Sequence, residues 1–430
     1  MIKHSAHARW PRVMAILALA ALSATPALAA DPPVFRLLGD APGGPVFSDA
    51  QAVTPDGRIV VGVTKDADGE IAFKWTEADG MVLLGRLPGG VPPASQAVSI
   101  SDDGLTIAGF SSSARGPYEP VLFTPSGIIQ LGTLRAPTVF GACSSITPDG
   151  SVVVGMSMAG SNTIFHGFRW SQATGLIDIP PPPGFSGAQA SGISPCGSVI
   201  VGSVGTNFFA TQRPFVWTRS GGMTVLGILP GAQVDVAEAR ASTMGGRHVI
   251  GYSYSARANP EAFIWNAQDG MVGLGDLDGG NAESYARAVS ADGRVVVGIA
   301  TTGTPDTPAG YEAFYWTQAG GMRRLADVLT ENGLSTNTWV IERAQAITPD
   351  GRVIVGSCRW PGGAGNAVAF MARLPAPPPP RDPADWNDDG IVSIDDLFLF
   401  MNDYFTGDAD FNEDGITTID DLFLFFNAWF

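Results

Sequence analysis

Pro55-Asp-Gly-Arg-Ile-Val-Val-Gly62, then Ala72-Phe-Lys-Trp75, then Gly80-Met-Val-Leu-Leu-Gly85 decide the fold, because these three pieces return along most of the chain. The first recurs as Asp103-Gly-Leu-Thr-Ile-Ala-Gly109, Pro148-Asp-Gly-Ser-Val-Val-Val-Gly155 and Pro195-Cys-Gly-Ser-Val-Ile-Val-Gly202. It returns again as Gly245-Gly-Arg-His-Val-Ile-Gly251, Ala291-Asp-Gly-Arg-Val-Val-Val-Gly298 and Pro349-Asp-Gly-Arg-Val-Ile-Val-Gly356. Asp-Gly between apolar runs signals a hairpin, because glycine tolerates positive φ. These pairs are read as turns, not as metal sites. The second piece recurs as Phe168-Arg-Trp170, Phe215-Val-Trp217, Ala262-Phe-Ile-Trp265 and Ala313-Phe-Tyr-Trp316, with weaker copies ending at Phe123 and beginning at Phe370. Alternating Phe and Trp places both rings on one face of a strand. Their regular spacing points to blade core rather than to sugar stacking. The third piece recurs as Gly222-Met-Thr-Val-Leu-Gly227 and Gly270-Met-Val-Gly-Leu-Gly275.

Each unit offers about four short strands in about 47 residues, and a period of roughly 40–50 residues with four strands marks a propeller blade. Seven turn motifs give an all-β fold, a seven-bladed β-propeller. A β-helix and an open repeat stack are the rival arrangements, since repeat length alone does not fix curvature. The ends favour a closed ring. The last unit stops after Phe370 without a Leu-Gly strand, and a spare one, Val34-Phe-Arg-Leu-Leu-Gly39, precedes the first unit. The amino-terminal strand is therefore expected to complete the last blade and remove a sheet edge. The seventh unit carries extra residues between Leu325 and Arg343, with a short helix expected to end at Gly333. Such an insertion either caps the closure blade or belongs to a binding face.

These repeats resemble the extracellular HAF-repeat family over residues 34–374. That resemblance implies export and no particular reaction.

Two further segments close the chain: Asp385-Trp-Asn-Asp-Asp-Gly-Ile-Val-Ser-Ile-Asp-Asp396 and Asp410-Phe-Asn-Glu-Asp-Gly-Ile-Thr-Thr-Ile-Asp-Asp421. Ca²⁺ takes oxygen ligands from positions 1, 3, 5, 7, 9 and 12 of such a loop, with glycine at 6 for the turn. Asp385, Asn387, Asp389, Ile391 (by its carbonyl), Ser393 and Asp396 fill those positions in the first copy. Asp410, Asn412, Asp414, Ile416 (by its carbonyl), Thr418 and Asp421 fill them in the second. Two calcium ions are expected. From Asp382 onward there are thirteen carboxylates and no Lys or Arg, a pattern that usually keeps a tail extended. Yet Leu397, Phe398, Phe400, Phe405, Leu422, Phe423, Phe425 and Trp429 are more apolar than disordered acidic tails carry. Helices are expected over Leu397–Phe405 and Leu422–Phe430. The segment resembles the type I dockerin repeat, in particular the short dockerin-like tails of planctomycete secreted proteins. The resemblance implies a cohesin-like or other extracellular or envelope docking partner. It departs at loop positions 10 and 11. Many cohesin-binding dockerins have small hydroxyl residues there, and this chain has Ile394-Asp395 and Ile419-Asp420.

At the amino end, Arg9 and Arg12 precede an apolar run from Val13 to Leu22, followed by Pro26 and Ala27-Leu-Ala29. This is the pattern of a secretory signal peptide, and the run is short for a membrane span. The expected organisation is a signal peptide at 1–30, the propeller at 31–374, a Pro-rich spacer at 375–384 and the tail at 385–430. Polyproline is semi-rigid and would hold the two modules apart.

The net charge of −16 argues against nucleic-acid binding, which needs a basic face. Beyond the amino-terminal segment the histidines are His166 and His248, and no base, nucleophile and acid are brought together by spacing. Glu261 and Glu312 precede Ala-Phe at equivalent repeat positions, which suggests a structural role. The spacing of Cys143, Cys196 and Cys358 fits no metal or redox motif; one pair could join, or all could be small buried thiols. The function expected is non-catalytic, a secreted propeller that binds or displays a glycan or protein. The alternatives are a propeller hydrolase or lyase on the same tether, and a structural envelope component.

Overall fold

Seven four-stranded antiparallel sheets account for the seven repeats. The structure is a computed structural model that describes residues 31–135, 139–160, 164–206, 211–302, 310–360, 367–375, 386, 393–406, 409, 411 and 417–429, the side chains of Asp420 and 427–429 excepted. The expected signal peptide and nearly all of the spacer lie outside these residues. Blades 1 to 6 occupy residues 48–85, 95–130, 141–179, 187–225, 237–273 and 284–324, each with its four strands paired in chain order. Blade 7 is Val340–Ile347, Val353–Arg359 and Ala367–Arg373, completed by Val34–Gly39. The first strand of every blade neighbours the first strands of the next and the previous one, so seven strands surround one axis.

The closure follows the expected course. Val34–Gly39 runs antiparallel to Ala367–Arg373, with Val34 opposite Arg373 and Leu37 opposite Phe370. The Phe35 ring stacks on Phe370 at 5.7 Å between centroids.

The second sequence piece supplies the core. Phe73, Phe168, Phe215, Phe263, Phe314 and Phe370 are fully buried, and each packs against the blade before its own. Phe73 meets Val353 and Val355 of blade 7, and Phe215 meets Val152 and Val154 of blade 3. Truncating one ring costs about 3–5 kcal/mol by the usual record of Phe→Ala in cores. Of the partner Trp residues, Trp75 is a buried member of its cluster, and Trp170, Trp217, Trp265 and Trp316 pack at the margins of theirs. They act as core.

Hydroxyl groups stitch blade to blade. Ser95 Oγ donates to the Gly85 carbonyl (2.7 Å) and accepts from the Ala72 N–H (3.0 Å). Ser284 makes the same pair with Gly275 and Ala262. Ser48 makes it across the closure, with Gly39 (2.6 Å) and Ala369 (2.8 Å). The glycine of the Leu-Gly piece and the alanine of the Ala-Phe piece are thus the two ends of one staple. The serines at these joints are fully buried, where an unmade bond is expensive.

The Asp-Gly pairs are turns, as expected. Asp56 Oδ1 accepts from the Thr54 hydroxyl (2.6 Å) and the Arg58 N–H (3.0 Å). The turns at Asp103, Asp149 and Asp292 repeat this. Gly293 has φ +78°, and a Cβ there would meet His248 Nδ1 at 2.4 Å. His248 lies one residue before its strand, Val249–Tyr254, rather than inside it, and fills the joint toward blade 6.

The insertion forms a helix, Leu325–Glu331, and the chain turns away at Gly333 with φ +74°. Leu325, Val328, Leu329 and Leu334 are buried with Val297 of blade 6 and Ile341 and Phe370 of blade 7. The insertion caps the joint beside the closure. Among the described residues no helix is long and apolar enough to cross a membrane.

The tail folds into helices Ile394–Thr406 and Ile419–Trp429. Both begin three residues earlier than expected, because Ser393 and Thr418 start them. The Ser393 N–H donates to Asp396 Oδ2 (2.8 Å), and the Thr418 N–H donates to Asp421 Oδ2 (2.7 Å), one half of a capping box. Phe400 and Phe425, at equivalent positions of the two helices, stack face to face at 3.9 Å with 2° between planes.

Candidate functional site

Every first strand carries a β-bulge, and always at the same place. The pairing with the second strand shifts between Ala50 and Ala52, Ala97 and Ser99, Cys143 and Ser145, and Ala190 and Gly192. It shifts again between Ala239 and Ala241, Ala286 and Ala288, and Ala344 and Ala346. The skipped residues are Gln51, Val98, Ser144, Ser191, Arg240, Arg287 and Gln345. A bulge re-aims the side chain it leaves unpaired. All seven of these side chains line one cavity of about 450 Å³ on the ring axis. The flanking positions are small because the strands converge there; Ala50, Ala97, Ala190, Ala239, Ala286 and Ala344 are fully buried.

The glycine that ends each turn motif makes the bulge possible. A Cβ on Gly62 would lie 2.0 Å from the Asp49 carbonyl, and one on Gly251 would lie 1.9 Å from that of Glu238. Any side chain would push the inner strand and the second strand apart. The motif read from sequence as a strand with a terminal glycine is therefore half of the cavity's framework.

The cavity wall holds hydroxyls and amides from Gln51, Ser99, Ser144, Gln189, Ser191 and Gln345, together with Arg240 and Arg287. Two carboxylates stand on the same strands, two residues before a bulge. Glu238 is engaged at both oxygens and Asp49 at Oδ2, while Asp49 Oδ1 is buried with no hydrogen-bond partner among the described residues. Asp49 Oδ2 accepts from Gln51 Nε2 (2.9 Å) and Gln345 Nε2 (3.3 Å). Burial pushes the Asp49 carboxyl above the usual range, against hydrogen bonds from Ser357 and Gln345 and the charge of Arg343. Glu238 accepts from the Ser191 hydroxyl (3.3 Å) and the Tyr252 hydroxyl (3.4 Å), and its Oε1 lies 3.2 Å from Arg240 Nε. Burial, then the Glu238 charge, raises the Tyr252 phenol to about 12. Burial, then the like charge of Arg240, pulls the Arg287 guanidinium down to about 10.

The other sequence candidates fall elsewhere. His166 pairs with Asp178 at 2.9 Å within blade 3. Glu261 accepts from the Gly275 N–H (3.2 Å) and Glu312 lies 3.5 Å from Arg324, the structural role expected of them. A groove of about 630 Å³ between blades 2 and 3 is lined by Arg169, Trp170 and the turn at Gly150. It is the outer margin of one blade joint.

All three cysteines are free. Cys143 and Cys358 are buried, as small thiols usually are, and Cys196 is exposed. Cys196 replaces the turn aspartate of blade 4. Its sulfur lies 3.3 Å from Ser194 Oγ and 2.9 Å from Ser198 Oγ. Hydrogen bonds from Ser194 and then Ser198 lower the thiol to about 6, in a cradle that holds an aspartate in five of the other six turns. Alkylation of the native protein by iodoacetamide is therefore expected to rise with pH through a midpoint near 6, because the thiolate is the nucleophile. In Ser194→Ala the midpoint should move upward. A wild-type midpoint in the ordinary range of about 8.5 would contradict the cradle.

Of the expected calcium ligands, Ser393, Asp396, Thr418 and Asp421 are described. Asp385, Asn387, Asp389, Ile391, Asp410, Asn412, Asp414 and Ile416 lie outside the described residues. Among the described residues no group of three or more His, Cys, Asp or Glu could hold a metal. Asp396 and Asp421 are fully buried at matching points of the two helices. Asp421 Oδ1 also accepts from the Phe411 N–H (2.9 Å). An oxygen-only donor set with buried carboxylates suits a hard divalent cation.

No protein-family model matches the chain. No curated protein matches it either. Solved structures do. TolB from Acinetobacter baumannii aligns at 12% identity and TM-score 0.42, over 62% of this chain and 63% of that one. This chain thus spans a little under two thirds of that TolB. The Cps50 (Swd1) β-propeller domain from Myceliophteria thermophila aligns at 11% identity and TM-score 0.45, over 80% of this chain and 100% of that domain. An oligogalacturonate lyase in complex with manganese aligns at 14% identity and TM-score 0.47, over 80% and 97%. The seven blades rest on the strand order itself.

Proposed function

We propose that this is an exported, non-catalytic binding propeller that is held in place by a calcium-loaded, dockerin-like tail. The ring presents the axial cavity to a ligand, and the tail engages an extracellular or envelope partner. The observation that carries the tail reading is the matched placement of Asp396 and Asp421, each buried in the first turn of its helix, with the two helices joined by the stacked Phe400–Phe425 pair. Two copies of one loop sequence end at those carboxylates. Asp385, Asn387, Asp389, the Ile391 carbonyl, Ser393 and Asp396 would hold one ion. Asp410, Asn412, Asp414, the Ile416 carbonyl, Thr418 and Asp421 would hold the other. The ion neutralises carboxylates that otherwise repel one another. The binding reading of the ring is supported by a cavity rich in hydroxyl and amide groups whose nearby carboxylates are already engaged by Gln, Ser, Tyr and Arg.

The test compares the full chain with a chain ending at Leu374 for retention on the producing cells' surface fraction. Retention of the full chain in calcium, release by a chelator, and no retention of the shortened chain are expected. Equal behaviour of both chains would overturn the docking role.

A further inference from the structure

We propose that the axial cavity is an oxyanion site. It takes the carboxylate or phosphate of a small polyhydroxylated ligand on Arg240 and Arg287. This deepens the binding reading of the ring and is independent of the tail.

Arg240 and Arg287 are the bulge residues of adjacent blades, so the fold itself sends both guanidiniums to the axis. They are the charged side chains in the cavity wall among the described residues. Arg240 has a carboxylate beside it, Glu238 at 3.2 Å. Arg287 does not. Its Nε is buried and has no hydrogen-bond partner among the described residues. Two guanidiniums brought together without a full complement of acceptors are an unstable grouping unless an anion joins them. The wider surroundings lean the same way. Arg240 and Arg287 act on each other as like charges, while Glu238 offsets Arg287. Arg287 and Arg343 act on Asp49, whose carboxyl burial pushes up. A chain with a net charge of −16 has thus gathered positive charge at the one point where seven strands meet.

The rest of the wall defines the body of the ligand. Ser99, Ser144, Ser145, Ser191 and Gln345 come from four different blades and offer both donors and acceptors. Ser99, Ser191 and Gln345 each hold one protein partner, the Ile146 N–H, Glu238 and Asp49, and keep capacity for a further bond. A sugar acid or a sugar phosphate would satisfy them. The planar fork of an arginine matches either oxyanion with two parallel bonds.

Calorimetric titration of the full chain with glucuronate, glucose 6-phosphate and glucose tests the inference. Saturable binding of at least one anionic probe at one site per chain is expected, with affinity falling as salt rises. Glucose should bind at least tenfold more weakly. Arg287→Gln should weaken the anion about tenfold or more, the size expected for a charge-assisted hydrogen bond, with an unchanged melting temperature. Arg287→Lys, which keeps the charge and loses the fork, should fall between. Binding confined to glucuronate makes the ligand a carboxylate, and binding confined to glucose 6-phosphate makes it a phosphate ester. The inference is overturned if neither anion binds, if glucose binds as well as they do, or if Arg287→Gln binds like wild type. Equal binding of glucose would still leave the ring a binding module, so the two readings fail separately.

Discussion

A chain that begins after Gly39 is expected to aggregate and to lose cooperative melting, because it lacks the outer strand of blade 7. The strand Ala367–Arg373 would then present an open edge, and exposed edges recruit other strands. Phe35, Leu37 and Leu38 would leave the core at the same time. At roughly 1.5–3 kcal/mol for each buried apolar side chain, the loss is about 5 kcal/mol, a large share of the usual 5–15 kcal/mol of net stability. Ser48→Ala probes the same joint more gently. It leaves the Gly39 carbonyl and the Ala369 N–H without their present partner, at about 1–3 kcal/mol for each buried group. Light scattering and differential scanning calorimetry read both variants. A shortened chain that stays monomeric with the wild-type melting temperature would show that the ring does not need this strand.

Removing calcium is expected to unfold the tail while the ring stays folded. Titration of the chelated full chain with calcium should raise helical circular dichroism and saturate at two ions. Asp414→Ala deletes a position-5 ligand of the second loop and should leave one ion bound, with a smaller rise in helix. Asp389→Ala should do the same for the first loop. At a hundredfold excess of ion over Kd, each site contributes about 2.7 kcal/mol to the folded tail. The Phe400–Phe425 stack joins the two halves, so loss of one site should also weaken the other. A helical signal identical in chelator and in excess calcium would rule out metal-dependent folding of the tail.

The ring was legible in the sequence because its repeats differ at their ends. A spare Leu-Gly strand before Ser48 and a missing one after Phe370 leave a single economical arrangement, and Val34–Gly39 lies where that arrangement puts it. The helix at Leu325 was legible from its apolar spacing and Gly333. The axial site was not. A bulge is a slip in backbone pairing and has no residue type of its own. Arg240 and Arg287 lie in inner strands that read as ordinary alternating segments. Their trace is a small-x-small triplet ahead of each turn motif, as in Ala239-Arg-Ala241 and Ala286-Arg-Ala288. That trace gains meaning once seven copies are superposed. The setting of Cys196 was not read from the sequence, although cysteine stands where five of the other six copies have aspartate. Its consequence depends on Ser194 and Ser198, which become a cradle through the turn geometry. The two loop sequences at 385–396 and 410–421 were legible as a repeated pattern, and most of their expected ligands lie outside the described residues. The early start of the helices was missed, because capping by Ser393 and Thr418 overrode the boundary suggested by the apolar run.

The bulges also separate inheritance of shape from inheritance of specificity. Each blade commits its glycine, its flanking small residues and its buried Phe to architecture, and leaves one side chain facing the axis that no backbone pairing constrains. Gln, Val, Ser and Arg all occupy that place here without altering the blade around them. Seven such places form a combinatorial socket. Exchanging their side chains would reprogram what the ring accepts while the scaffold remains untouched, much as interchangeable bits fit one chuck.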